Sequence, residues 1–123
     1  MNHITTIGQV SIPVHQMEQS IHFYHEVLGL PLLFQAKNMA FLECNGLRLL
    51  LSIPEKEEFD HKSSIVYFQV SDIQKAFEDY RQKGVEFHGD PHLIAKIDNT
   101  ETWMAFFQDP DGNIHSLMSE VQV

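Results

Sequence analysis

The chain has 123 residues, 43% of them hydrophobic and 20% charged, which suits one folded unit and excludes a disordered or collagen-like polymer. Eight Lys and Arg stand against 17 Asp and Glu, a formal net charge of −9, so phosphate backbones and anionic lipid surfaces are repelled, and no nucleic acid or membrane partner is expected. The single cysteine, Cys44, allows no internal disulfide, which fits a reducing, cytoplasmic compartment.

Residues 4–14 are apolar and β-branched and read as a strand. The period then changes. Met17, Ile21, Tyr24 and Leu28 fall on one helical face, which predicts a helix over 17–28, closed by Gly29 and Pro31. Three strands follow, over 32–35, 39–44 and 47–53, the last two joined by Asn45-Gly46, a tight-hairpin signal. The polar stretch 54–63 is the connector. A second strand, over 65–70, leads into a helix over 73–83 whose stripe is Ile73, Phe77 and Tyr80. Further strands are expected over 85–87, 92–95, 103–107 and 114–118, with Asp109-Pro110-Asp111-Gly112 as a type I turn before the last. No run reaches the roughly 18 apolar residues of a membrane span. The first residues, from Met1 to Thr6, lack the charged and apolar regions of a secretion signal.

The two halves superimpose as text. Val14 with Val70, Met17 with Ile73, Ile21 with Phe77 and Tyr24 with Tyr80 are each 56 residues apart. A fixed offset with one strand-to-helix order indicates an internal duplication of a βαβββ unit, with repeats over about 4–53 and 64–119 in a single domain spanning 1–123. The expected class is α+β: the two units join their sheets into a curved eight-stranded mixed sheet around a cleft, where small molecules bind.

At this point the sequence resembles a known family. Gly8-Gln9-Val10-Ser11-Ile12-Pro13-Val14, then Ser20-Ile21-His22-Phe23-Tyr24 and Val27-Leu28-Gly29-Leu30, are similar to the first half of vicinal oxygen chelate proteins. Val66-Tyr67-Phe68-Gln69-Val70-Ser71-Asp72-Ile73 and Phe107-Gln108-Asp109-Pro110-Asp111-Gly112-Asn113 are similar to the second. That superfamily holds glyoxalase I, bleomycin-resistance proteins, fosfomycin-resistance transferases, methylmalonyl-CoA epimerase and extradiol dioxygenases. The resemblance implies the glyoxalase-like fold but not the activity, because the fold hosts several chemistries. It also implies a homodimer, since related chains of this length usually pair to complete their clefts, and C2 pairing is the commonest closed assembly.

Metal-dependent members hold one divalent ion with His, Glu or Gln. The resemblance maps those ligands onto Gln9, Leu50, Ile65 and Ser116. Leu50 and Ile65 carry no donor atom, and Gln9 and Ser116 offer only neutral oxygens. A divalent ion needs three or more good donors, so no metal cofactor is expected; the alternative is one divalent metal on displaced ligands. His22 and His25 have ligand spacing but no third partner, and read as a solvated helix face. His3, His15 and His61 read as surface residues, and His115 as facing away from the cleft.

The expected ligand-binding cleft takes Gln9, Ser11, Ile65, Tyr67 and Ser116 from strand alternation and Leu50 from the resemblance. His92 joins from the start of a strand that could line it, and Trp103 as an edge residue whose side in its strand alternation leaves open. The cleft is mostly apolar with scattered polar points. No catalytic residue is assigned. The favoured function is a small-molecule-binding protein of the bleomycin-resistance kind that sequesters a cationic or aromatic ligand. The alternative is a metal-dependent lyase, isomerase or dioxygenase, with Gln9, His92 and Cys44 as its suspects. A third reading is an interaction module with a vestigial cleft.

Overall fold

The computed structural model describes residues 3–123. Met1 and Asn2, part of the segment read above as lacking a secretion signal, lie outside the described residues. The chain divides into two compact units, Met1–Ser63 and Ser64–Val123. In place of eight strands in one sheet, the described residues form two mixed sheets, of four and five strands.

In the first unit, β1 (Gln9–Pro13) leads into α1 (Met17–Ile21), and β2 (Leu32–Gln35), β3 (Met39–Cys44) and β4 (Leu47–Ser52) follow. The sheet order is β1-β4-β3-β2. β1 runs parallel to β4, with Ser11 opposite Leu50, and the other pairs are antiparallel. The β3–β4 hairpin turns on Asn45 at φ 48° and Gly46 at φ 95°, both left-handed, as a type I′ turn requires. Ile12, Val14, Ala40, Leu42, Leu49 and Leu51 are buried.

The strand predicted over 4–14 is shorter at its start. Among the described residues β1 pairs with β4 from Gln9 opposite Arg48 onward, and β4 itself begins at Leu47, directly after the hairpin turn, so the ladder starts at Gln9. The helix predicted over 17–28 also differs. Beyond Ile21 the chain widens into a π-helical segment, His22–Val27, with Leu28 N–H donating to the Phe23 carbonyl at 2.9 Å. Of the predicted stripe, Met17 and Tyr24 are buried while Ile21 and Leu28 are only half-buried, and Ser20 and Phe23 join the covered side. Two adjacent aromatic rings, edge to face at 5.1 Å, share the covered side, which the wider turn permits.

In the second unit, β5 (Val66–Gln69) leads into α2 (Ile73–Gln82), then β6 (Glu86–Phe87), β7 (His92–Ile97), β8 (Thr100–Gln108) and β9 (Ile114–Gln122). The order is β5-β9-β8-β6, with β7 also paired to β8. β5 is parallel to β9. β6 and β7 occupy successive stretches of β8, at Phe107–Gln108 and Thr100–Met104. The parallel first-to-last pairing thus recurs in both units. So does the helix start: Gln16 has φ −131° and ψ 104°, and Asp72 has φ −132° and ψ 96°. The core beneath α2 is Ile73, Phe77, Val85, Ala105, Phe107, His115 and Leu117. The turn before β9 closes with Gly112 N–H on the Asp109 carbonyl at 3.0 Å. Among the described residues no helix is long and apolar enough to cross a membrane.

Candidate functional site

Within each unit, one face of the sheet is covered by that unit's helix and the other, called its open face, carries no helix of the same unit. On the open face of the first unit, alternation aligns Gln9, Ser11 and Pro13 of β1 with Arg48, Leu50 and Ser52 of β4. Beyond them stand Met39, Phe41 and Glu43 of β3. Leu50 is half-buried between Ser11 and Phe41, whereas Gln9 and Ser11 are exposed. Gln9 is engaged by a neighbour: Arg48 Nε donates to its Oε1 at 3.2 Å. The same guanidinium lies over the Phe41 ring at 4.5 Å, and Phe41 is 6.0 Å from Phe34. Ser11 also borders a cavity of about 340 Å³ with Pro13, Ser52, Pro54, Glu55, Phe59 and His61.

On the open face of the second unit, Tyr67 stands opposite Ser116 and Ser116 opposite Phe106. The Tyr67 and Phe106 rings meet edge on at 6.2 Å. His92 pairs with Met104, its ring 6.3 Å from Phe106, and its Nδ1 donates to the Asp90 carbonyl at 3.2 Å. Ile65, just before β5, and Tyr67 are each 45% exposed. Ser116 is fully buried, and its hydroxyl lies 2.7 Å from the Leu117 carbonyl and 3.3 Å from the Ala105 carbonyl, its proton directed to backbone oxygen.

One expected residue lies elsewhere. Trp103 alternates with Met104, pairs with Leu93 and Ser119, and so stands on the face that carries Ala105 and Phe107, towards α2. Sequence alone left its side open, because the register of β8 is set only by its pairing with β9. Arg48 and Phe41 were not among the expected site residues. Applying the period of two to β3 and β4, as was done for β1, β5 and β9, finds both.

The four mapped ligand positions do not fit a divalent ion. Leu50 and Ile65 have no donor, the Gln9 oxygen takes a guanidinium proton, and the Ser116 hydroxyl is directed to backbone carbonyls. Among the described residues no three His, Cys, Asp or Glu side chains converge to hold a metal. His25 Nδ1 lies 2.7 Å from the Leu30 carbonyl, so it serves the end of its helix. Cys44 is half-buried at the end of β3. Burial, and secondarily the Glu43 carboxylate, push its thiol up from the ordinary value, which keeps the weakly nucleophilic thiol form at neutral pH.

Comparison with known proteins agrees with this architecture. A chain from Sphaerobacter thermophilus described as a member of the glyoxalase/bleomycin resistance protein/dioxygenase superfamily has a TM-score of 0.81 at 21% identity, covering 94% of this chain and 98% of that one. TnmS3, an antibiotic-binding protein from Streptomyces, has a TM-score of 0.77 at 20% identity, covering 98% of this chain and all of that one. In sequence, the glutathione transferase FosA of Serratia marcescens is 29% identical over 112 residues, covering 89% of this chain and 77% of the transferase. The family profile itself matches residues 3–116, and the chain belongs to the Glyoxalase/Bleomycin resistance protein/Dioxygenase superfamily.

Proposed function

We propose that this protein binds a small aromatic molecule on its open sheet faces without a metal ion, sequestering the ligand rather than transforming it. The observation that carries the reading is the Arg48–Gln9 contact. A guanidinium stays charged at any physiological pH, so a divalent cation at Gln9 meets a fixed positive charge and an oxygen already bonded. Leu50 and Ile65 deepen the deficit.

The faces suit a flat apolar ligand. Phe34 and Phe41 in one unit, and Tyr67 and Phe106 in the other, offer aromatic surface beside a few hydrogen-bonding groups, the profile of a binding pocket. Arg48 narrows the earlier choice of cationic or aromatic ligand towards the aromatic one, by stacking and by repulsion of cations. The antibiotic-binding neighbour TnmS3 is in keeping with this reading. The competing reading, a metal-dependent enzyme with displaced ligands, draws on the transferase FosA.

A thermal-shift screen separates the two. Stabilisation follows RT ln(1 + [L]/Kd), so a site of about 1 µM affinity at about 1 mM ligand adds about 4 kcal/mol, on the order of ten degrees for this size. Aromatic ligands are expected to produce such shifts, and nickel, zinc, iron and manganese are not, with a His22→Ala, His25→Ala variant removing surface chelation. Large shifts with a metal alone that persist in that variant overturn the reading.

A further inference from the structure

We propose that the cavity at the start of α2 is a second ligand site, one that takes a small protonated aromatic amine. It measures about 380 Å³ and lies wholly within the second unit, bordered by Asp72, Ile73, Pro91, Trp103, Ser119 and Val121. Because Trp103 and Ser119 pair across β8 and β9 on the face towards α2, this site is separate from the open face carrying Tyr67, Phe106 and Ser116. It does not depend on the function proposed for that face.

Three features define the ligand. Ser119 is 1% exposed, and its Oγ has no hydrogen-bond partner among the described residues. A buried hydroxyl without a partner is a standing cost, which a polar ligand atom removes. Trp103 supplies a large flat wall, held by its Nε1–H donating to Glu101 Oε1 at 3.2 Å, with Ile73, Pro91 and Val121 completing the apolar surface. An aromatic ring of one or two cycles matches that wall and volume.

The charge is set by Asp72, the ionised side chain among those lining the cavity. Its Oδ1 caps α2 by accepting from Lys75 N–H at 3.1 Å. The helix N-terminus carries only about half a positive charge, less than the full negative charge of the carboxylate, and the chain as a whole is at −9. An ammonium is therefore favoured over a carboxylate.

Trp103 is the only tryptophan in the chain, so its emission reports on this cavity alone. The test is a fluorescence titration of the full chain with phenethylamine, excited at the red edge of the indole absorption. A saturable change is expected with a dissociation constant of about 1 mM, the scale for so small a ligand. Asp72→Asn, which keeps an effective helix cap, is expected to weaken binding about tenfold through loss of the charged partner. Ser119→Ala is expected to weaken binding several-fold while melting no lower than the parent, since it deletes an unpaired hydroxyl. Phenylacetate, with the same ring and the opposite charge, is expected to leave the emission unchanged. The absence of a saturable response in folded protein, an equal response to phenylacetate, or unchanged affinity in both variants would each overturn the proposal.

Discussion

His115 shows how burial converts an ionisable residue into core. It is fully buried, its ring lies against Phe68 and Phe107 at 5.8 and 5.9 Å, and its Nδ1 accepts from Val66 N–H at 3.3 Å. Burial lowers its pKa from 6.5 to about 4, against a smaller opposing pull from Asp109. The folded pKa lies below the unfolded one, so between those values the unfolded state binds more protons and stability rises with pH. Full stability is present above about pH 6.5, and up to about 3 kcal/mol is lost as pH falls towards 4. Urea unfolding at stepped pH is expected to show this slope, and His115→Leu to flatten it; an equal slope in the variant contradicts the assignment. The orientation of His115 away from the open face was legible from strand alternation, but its pairing with Val66 was not, because partners across strands depend on register. Asp109 is similar. Its turn was legible, yet its side chain is 2% exposed and accepts from Asp111 N–H, Asn113 N–H and Asn113 Nδ2, an anchoring role that turn propensity does not reveal.

Elements with strong local signals stand where the sequence placed them. β2 and β3 match residue for residue, and the type I′ turn at Asn45-Gly46 explains why: the turn alone fixes the register of β3 on β4. Gly46→Ala is expected to cost about 1 kcal/mol by chemical denaturation, because Ala resists the φ of 95°; no change would contradict the left-handed turn. Elements whose limits depend on distant partners were less legible. β8 and β9 extend together to Thr100 opposite Gln122, well beyond their apolar centres; Glu101 and Glu120 break the apolar pattern there, and the β-branched Thr100 and Thr102 do not restore it. The π-helical segment was invisible for a related reason, since the apolar period near Tyr24 fits an α-helix as well.

At the scale of the whole molecule, the parallel first-to-last strand pairing occurs in both units and the backbone at Gln16 matches that at Asp72, 56 residues on; we propose that an internal duplication accounts for both. We propose that the protein is a homodimer, since edge strands with exposed apolar side chains, such as β2 with Leu33, need covering. Light scattering at micromolar concentration is expected to give twice the chain mass of 14.2 kDa, and a monomer mass refutes the pairing. The central claim is that the superfamily fold here binds its ligand without a metal. The most direct measurement is elemental analysis of the His22→Ala, His25→Ala protein, purified without chelator and dialysed against nickel, zinc, iron and manganese. The account predicts far less than one ion per chain. One ion retained per chain, and lost on substituting Gln9, would contradict it.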